Sequence, residues 1–366
     1  MYSDPLYFKR EQLAKGLLLN LKEGITHAIT LFAPRRMGKT QFLLNDVQPQ
    51  AKAMGFNVFY FSFMDNQAGE LSVRFTQALQ AFAIELDGVI AQTVKNITSV
   101  SVLGVGIGKD KSAVDNTPHV SQLLNLIAKE SKKPTLLLLD EVQELAREPS
   151  TEGLIKSLRT GLDTNQQKIK VIFTGSSTNG LRAMFNDNKA PFFHFAHPMD
   201  FPMLDKSFTD FLANVYHART GRELDKTTLY NTFKEQLGSI PLYMRSIIQD
   251  MIVNPTLPFE QALARRVEEL NERTDYSVQW RELNALEQQI ILHIFHGNSR
   301  LYTHDVRQRF AEKLGVDSIS SSQIQGQVRK LTRADLITKG GDNTFKIGDS
   351  HFHAWLKNTL INEAKP

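Results

Sequence analysis

Residues 25–47 run as an apolar segment, a short basic turn and a helix-forming segment, and this order constrains the fold more than any other feature. The segments are ITHAITLF (25–32), APRRMGKT (33–40) and QFLLNDV (41–47). APRRMGKT fits the phosphate-loop spacing G-x-x-x-x-G-K-[ST] except at the first position, where Ala33 replaces glycine. Such a loop between a strand and a helix presents backbone N–H groups and the positive helix end to phosphate. The residues therefore predict a phosphate-binding turn, with a chance match as the alternative.

Continuous apolar runs recur along the next 130 or so residues, each followed by a helical pattern. Further strands are predicted at 57–63, 134–141 and 169–174, and helices at 71–86, 119–131 and 151–162. Strands that are apolar on both faces are typical of parallel sheets covered by helices. The pattern therefore predicts an α/β class with a parallel sheet. The alternating segment ITSVSVLGVGIG (97–108) suggests an inserted hairpin.

Each position of the turn has a specific task if the turn binds phosphate. Gly38 lets the backbone approach closely, Lys39 reaches the β and γ phosphates, and the Thr40 hydroxyl can ligate Mg²⁺. Ala33 requires the loop to turn there without a positive φ. The other residues in and after the loop expected to contact nucleotide are Arg36, Met37 and Gln41.

The apolar strand TLLLLDE ends in Asp140 and Glu141. Alone, this acidic pair could be a solvated strand end. Together with the phosphate loop it predicts a Walker B pair, in which Asp140 holds Mg²⁺ and Glu141 polarises the attacking water. Strand 169–174 leads into hydroxyl residues, of which Ser176 is the candidate to act beside the phosphates. A serine nucleophile elbow is disfavoured because the closing glycine is missing.

From about Asp200 onward, helices replace the strand–helix alternation. Helices are predicted at 205–219, 225–237 and 240–253, and after 254–258 to about 274. The stretch 281–361 reads as helices at 284–295, 303–314 and 320–335, followed by two short strands. This is the order of a winged helix. Its third helix carries side chains that suit DNA, namely Gln323, Gln325, Gln327, Arg329, Lys330 and Arg333. A protein-docking module is the equal alternative.

The length of 366 residues is too great for one ordinary core. We predict a P-loop NTPase core at 1–200, a helical lid at 201–279 and a winged-helix domain at 280–366. The absence of cysteine excludes disulfides and thiolate zinc sites. With no apolar run of membrane length and no apolar signal segment at the N-terminus, a cytoplasmic protein without membrane contact is expected. The formal charge of +4 is a weak indication of a nucleic-acid partner.

These residues together resemble the archaeal-type ATPases of the STAND branch, which are relatives of the AAA+ proteins. The resemblance covers nearly the whole chain. It rests on APRRMGKT, LLLLDEVQEL, FTGSSTNGLRAMF, the Gly238-Ser-Ile-Pro241 segment of a helical lid and the C-terminal winged helix. It implies ATP and Mg²⁺ as ligands. It also implies that Phe8 and Arg10, in the N-terminal motif FKRE, lie near the adenine. Pro241 and Arg245 lie where such proteins sense the nucleotide.

The chain departs from the family pattern after the strand at 169–174. Family members often carry a Gly-Arg pair there, whereas this chain reads PFFHFAH (191–197) and has no arginine between Arg182 and Arg219. An arginine finger is worth roughly 10³–10⁵ in turnover, so slow hydrolysis is expected. Alternative arginines are Arg147, Arg159 and Arg182.

The implied function is an ATP-dependent molecular switch. Nucleotide would bind between core and lid, and the lid would move the winged helix against DNA or a protein partner, with at least transient self-association. One alternative is a nucleotide-gated scaffold with negligible turnover. Another is a DNA loader of the initiator type, which shares the order of core, lid and winged helix.

Overall fold

The computed structural model of the chain divides into two compact units. The sheet unit comprises Lys9–Ala33 and Lys39–Phe201, and the helical unit comprises Met1–Phe8, Pro34–Gly38 and Pro202–Pro366. The residues that the structure describes are 4–64, 70–86, 88, 91–93, 119–146, 149–176, 184–185, 190–273, 276–298, 300–334, 336–339, 344–348, 352–353, 355–357 and 359.

Five parallel strands form the sheet in the order β2-β3-β4-β1-β5. They are β1 (Ala28–Phe32), β2 (Asn57–Ser62), β3 (Thr135–Asp140), β4 (Ile169–Gly175) and β5 (His197–Asp200). Every residue of β1, β3 and β4 is buried, as expected for strands covered on both faces. The register pairs Leu139 with Phe173 and Phe32 with Gly175. The carboxyl ends of the three central strands therefore meet at one edge of the sheet.

The helices of the sheet unit bury apolar stripes on this sheet. They are α1 (Glu11–Lys22), α2 (Lys39–Phe42), a π-helical turn (Leu43–Val47), α3 (Gln48–Ala53), α4 (Leu71–Leu86), α5 (Val120–Glu130) and α6 (Glu152–Thr164), with 3₁₀ turns at Val142–Ala146 and Pro149–Thr151. The core joins Phe59, Phe75, Leu137 and Phe173, each at most 5% exposed. At Gly161 a Cβ would lie 2.9 Å from the Ser121 Cα, so α5 and α6 pack backbone to backbone.

The α/β class with a parallel sheet is confirmed, and the bounds of α4 coincide with the helix predicted at 71–86. Strand β5 was not predicted from the sequence. It is a short, largely exposed strand that contains Pro198, and within the described part of the chain it pairs along β1 alone. Proline is tolerated at such sheet edges. The hairpin predicted at 97–108 lies outside the described residues.

The helical unit follows from residue 202. Its helices are α7 (Lys206–Thr220), α8 (Lys226–Glu235), α9 (Pro241–Val253), α10 (Phe259–Arg273), α11 (Tyr276–Glu282), α12 (Ala285–Phe295), α13 (His304–Leu314) and α14 (Ser321–Arg333), and strands β6 (Ile337–Lys339) and β7 (Phe345–Ile347) form an antiparallel hairpin. Side chains cap several of these helices: Asp205 accepts from the Ser207 N–H at 2.9 Å, and Ser320 forms a capping box with Gln323. The order of three helices and a hairpin at the C-terminus is as predicted.

A separate apolar core holds the last elements together. Ile290, Phe310, Leu331 and Phe345 are all at most 3% exposed. Helix α11, which was not predicted, adds Tyr276 to this core. In the described part of the chain, no helix combines the length and apolarity needed to cross a membrane.

Candidate nucleotide-binding site

The turn after β1 owes its shape to two residues in the left-handed region. Arg36 has φ 65° and Gly38 has φ 87°, the second a conformation that glycine adopts without steric cost. Ala33 is buried and lies outside that region, so the loop turns there as an alanine requires. Met37 is also buried, with 3% of its surface exposed. The two left-handed residues of the turn therefore lie one and three residues before Lys39.

Lys39 begins α2 and is 5% exposed. Its Nζ donates to the Ala33 carbonyl at 2.8 Å, so the ammonium folds back across the loop rather than extending into solvent. A buried ammonium needs an acceptor or a counter-charge, and a phosphate would supply that charge. Gln41 lies two residues further along α2 and accepts from Asn45 Nδ2 at 2.8 Å.

Asp140 is 1% exposed and its carboxylate is surrounded by hydroxyl donors. Thr40 Oγ1 donates to Oδ2 at 2.6 Å, and Thr174 Oγ1 donates to Oδ1. Tyr60 OH reaches Oδ2 at 3.5 Å. Burial, followed by the charge of Asp140, raises the pKa of Tyr60 to about 12, so this phenol stays protonated and acts as a donor at neutral pH. Tyr60 was not predicted as a site residue, because only the pairing of β2 with β3 brings it there.

This arrangement brings the two predicted Mg²⁺ ligands, Thr40 and Asp140, into contact. The hydroxyl of Thr40 and the carboxylate of Asp140 are hard oxygen donors, and Mg²⁺ is usually bound by one or two such groups together with phosphates and water. Their separation of 2.6 Å allows both oxygens to reach one small cation. The residues present therefore fit Mg²⁺.

Glu141 adopts φ 57°, a left-handed conformation that is uncommon outside glycine. Its Oε2 accepts from the Ser176 N–H at 3.2 Å, from Ser176 Oγ at 2.7 Å and from Gln143 Nε2. Ser176 at the end of β4 was predicted from the sequence, whereas Gln143 was not. The sequence carries no clear signal for Gln143, because the same 3₁₀ turn also contains polar Glu144, and only the structure shows that Gln143 is buried. Of the two hydroxyl residues at the end of β4, Thr174 donates to Asp140 and Ser176 donates to Glu141.

The predicted adenine contacts lie in different local environments. Phe8, in the helical unit, packs edge-on against Phe208 and Phe211, with ring centroids 5.9 and 5.5 Å away. Arg10, in the sheet unit, places its guanidinium 4.1 Å from the centre of the Phe201 ring. Its backbone N–H donates to Asp46 Oδ2 at 3.1 Å.

Helix α9 of the helical unit carries the two predicted sensing residues. Pro241 is its first residue, a position that suits proline because no N–H is needed there. Arg245 forms an ion pair with Asp4. The guanidinium of loop residue Arg36 donates to the hydroxyl of Tyr243 and lies 5.7 Å from its ring centre. Tyr243 was not predicted, since only tertiary packing brings it to the loop.

Arg159, an alternative to the arginine missing after β4, is engaged within the sheet unit. Its Nε donates to Asp163 at 2.9 Å, its Nη1 donates to the Pro191 carbonyl, and its guanidinium lies 5.0 Å from the Phe195 ring centre. Arg147 and Arg182 lie outside the described residues.

Comparisons with known proteins identify the family of the chain and its fold. A family model described as an ATPase domain predominantly from Archaea matches residues 7–244. No curated protein sequence matches the chain. Among solved structures, the Walker-type ATPase PABY2304 of Pyrococcus abyssi is 17% identical, with 96% of each chain covered and a TM-score of 0.62. The ORC2 protein of Aeropyrum pernix, in ADPNP–ADP complexes, is 16% identical, with 99% of this chain and 95% of that chain covered and a TM-score of 0.55.

At these identities the two structures establish a shared fold. The family model spans the phosphate loop, the acidic pair and the first helices of the helical unit, which is well over half of the chain. The chain belongs to this family of ATPase domains found predominantly in Archaea and is a nucleotide-binding ATPase.

Proposed function

We propose that the protein is an ATP-controlled molecular switch that hydrolyses ATP slowly, with Mg²⁺, and acts on DNA or on a protein partner. The observation that carries the hydrolytic part is the pair of adjacent carboxylates, Asp140 and Glu141, each held by a different hydroxyl residue of β4 or the residue after it. Adjacent acids with separate partners can take separate roles.

In this proposal the phosphate loop binds the triphosphate and the two acids divide the chemistry. Lys39 pairs with the β and γ phosphates, while the backbone of 36–38 and the side chain of Gln41 complete the cradle. Thr40 and Asp140 would hold Mg²⁺, which neutralises charge on the phosphate oxygens when bound. Glu141 accepts a proton from the attacking water, and Ser176 orients Glu141.

We assign the remaining predicted contacts to the adenosine end and to sensing. Phe8 and Arg10 lie beside aromatic side chains in their own units, and an adenine needs such flat apolar neighbours. Pro241 and Arg245 share α9 with Tyr243, so the residues proposed to sense nucleotide belong to one rigid element.

The switch is supported by contacts within the helical unit. Arg36 of the loop donates to Tyr243 on α9, and a phosphate competing for this guanidinium would release the tyrosine. Further along, Lys357 Nζ donates to the Glu235 carbonyl at the end of α8, at 3.1 Å. Helices α8 and α9 both pack on α7, so contacts within this unit join the loop to the last elements of the chain. For the nucleotide to act as a switch, these contacts must differ between the nucleotide-bound and nucleotide-free states.

The surface of helix α14 supports DNA as a second ligand of the protein. On the winged-helix interpretation, α14 is the element that would face DNA. Three of its six candidate side chains have structural roles: Gln323 caps the helix, Gln327 accepts from Asn284 at 3.3 Å, and Lys330 pairs with buried Glu287 at 2.9 Å. The other three, Gln325, Arg329 and Arg333, are exposed at i, i+4 and i+8 and form one row, here named the α14 face.

The experiment that tests the proposal measures ATP turnover while duplex DNA and protein concentrations are varied together. A DNA-acting switch gives a rate that rises with DNA. A self-assembling switch gives a rate per protomer that rises with protein concentration. A rate that is negligible and insensitive to both contradicts the switch and supports the nucleotide-gated scaffold. A rate that rises only when both are raised favours the loader alternative.

The cytoplasmic location stays a prediction from the sequence.

A further inference from the structure

Gln143 is a buried amide, 1% exposed, whose position beside the acidic pair has no role in the function proposed above. Its Nε2 donates to Oε2 of Glu141, and lies 3.3 Å from Ser176 Oγ and from Glu144 Oε1. The short contact is the one to Glu141. The amide therefore joins the turn after β3 to the carboxylate that we propose as the base.

The donors around Glu141 converge on one oxygen. Oε2 receives the Ser176 N–H, the Ser176 hydroxyl and the Gln143 amide, and among the described residues none donates to Oε1. The backbone of Glu141 is left-handed, with φ 57°. A carboxylate held at one oxygen by three donors has a fixed plane, which leaves the other oxygen to receive a proton.

The amide of Gln143 is not explained by folding. Its carbonyl oxygen is buried and has no hydrogen-bond donor among the residues that the structure describes, and an unsatisfied buried acceptor costs stability. An apolar side chain of similar length would fill the same volume without that cost. Groups that destabilise the fold in this way are common where function requires them.

We propose that Gln143 is a positioning residue for ATP hydrolysis, which fixes Oε2 of Glu141 so that Oε1 faces the attacking water. This inference rests on the proposed role of Glu141 as the base. Gln143 itself does not touch the reacting atoms and acts only through Glu141.

A double-mutant cycle on the full-length protein tests this. Gln143→Met keeps the length of the side chain and removes the donor. We expect kcat to fall about tenfold to a hundredfold, the loss typical of one hydrogen bond to a charged group, while KM for ATP changes little. The Tm should stay the same or rise, because the unsatisfied carbonyl is removed. In the Glu141→Gln background, Gln143→Met should cause no further loss, since the base through which it acts is already gone.

Two further variants keep the test decisive. Gln167→Met makes the same substitution at an exposed glutamine before β4, and should leave kcat and Tm unchanged. Gln143→Glu preserves the shape but replaces the donor by a carboxylate, and should lower kcat at least as far as Gln143→Met. If Gln143→Met does not fold, Gln143→Glu provides the test of the positioning role in its place.

The outcomes separate this inference from the proposed function. If Glu141→Gln abolishes turnover but both Gln143 variants hydrolyse ATP at the wild-type rate, only the positioning role is wrong. Losses that add in the double mutant, or a kcat loss matched by a fall in Tm, assign Gln143 a structural role and also overturn the inference. If Glu141→Gln hydrolyses ATP like wild type, the assignment of the base fails, and the positioning role fails with it.

Discussion

The carboxyl edge of the sheet and the exposed face of α14 both carry polar side chains, but they hold them in different ways. At the sheet edge, Asp140 and Glu141 each have identified hydroxyl or amide partners. On the α14 face, Arg329 and Arg333 are exposed and form no hydrogen bond or ion pair with any residue that the structure describes. The first arrangement fixes where a ligand must lie, while the second indicates only the chemistry of a ligand that would suit it.

Burial is the physical reason for the difference. A charge removed from water must be paired or hydrogen-bonded, so its neighbours specify its position. An exposed arginine is solvated in many rotamers and needs no partner. The sheet edge therefore supports residue-level roles, whereas the α14 face supports a class of partner.

Among the substitutions considered, the largest effect is expected for Lys39, the buried lysine at the carboxyl edge of the sheet. Lys39→Met should weaken ATP binding about a hundredfold, because charge-assisted hydrogen bonds of about 1.5–3 kcal/mol to the phosphates are lost. Titration calorimetry of the folded variant with Mg²⁺ and ATP measures this.

Lys170 provides the matched control. It is as buried as Lys39, at 6% against 5% exposed, and its Nζ likewise donates to a backbone carbonyl, that of Gln166 at 2.7 Å. It lies at the start of β4, away from the phosphate loop, and burial lowers the pKa of Lys170. Lys170→Met should leave ATP affinity unchanged. Equal affinities for the two variants would show that Lys39 is a structural lysine too.

The parts of the site that could be predicted from the sequence are those encoded by adjacent residues. A phosphate loop and an acidic pair after an apolar strand are local patterns, and Gly38, Lys39, Asp140 and Glu141 follow from them. Tyr60 and Tyr243 could not be predicted, because only sheet register and helix packing bring them to their partners. Patterns record periodicity along the chain, and these contacts join residues far apart in it.

The same limit applies to the fold. Strands β1, β3 and β4 are predominantly apolar because they are buried on both faces, which makes them easy to predict. Strand β5 is a sheet-edge strand with mostly exposed residues, so its sequence carries no apolar signal. Helix α11 is only seven residues long and lies directly after α10, and a short helix shows too few turns for its periodicity to be recognised.

A second test concerns the charges of the α14 face. Replacing Arg329 and Arg333 together by alanine should weaken DNA binding roughly tenfold at physiological salt. The slope of log affinity against log salt should become shallower by about 1.8, because two phosphate contacts no longer release counterions. Fluorescence anisotropy with labelled duplex, over a range of salt concentrations, measures both quantities on the full chain.

The controls for this test come from the same unit. Arg309→Ala with Lys313→Ala removes two exposed charges from α13 and should leave the salt slope unchanged. Lys330 is kept intact, because its ion pair neutralises Glu287, which is completely buried. Removing it would leave a buried carboxylate without its counter-charge, which would lower the stability of the fold and confuse the comparison. If the α13 and α14 double variants change the salt slope equally, the α14 face is not a specific DNA surface. If the wild type has no measurable DNA affinity, the DNA hypothesis is wrong, and the scaffold and protein-docking hypotheses remain.

The smallest effect is expected for a substitution at Gly326. This substitution tests most directly whether DNA contacts this part of α14. This glycine lies in the middle of α14 beside Gln325 and Arg329, and a Cβ added there would have no heavy atom within 4 Å. Glycine inside a helix costs about 0.5–1 kcal/mol relative to alanine, so Gly326→Ala should raise the free energy of unfolding in urea by that amount. If DNA approaches the α14 face closely, the same methyl group should lower DNA affinity by roughly threefold, about 0.7 kcal/mol. Stability and affinity would then change in opposite directions, which neither a loss of fold nor a loss of charge can produce. A variant that gains stability with unchanged DNA affinity would place the partner away from this part of the helix.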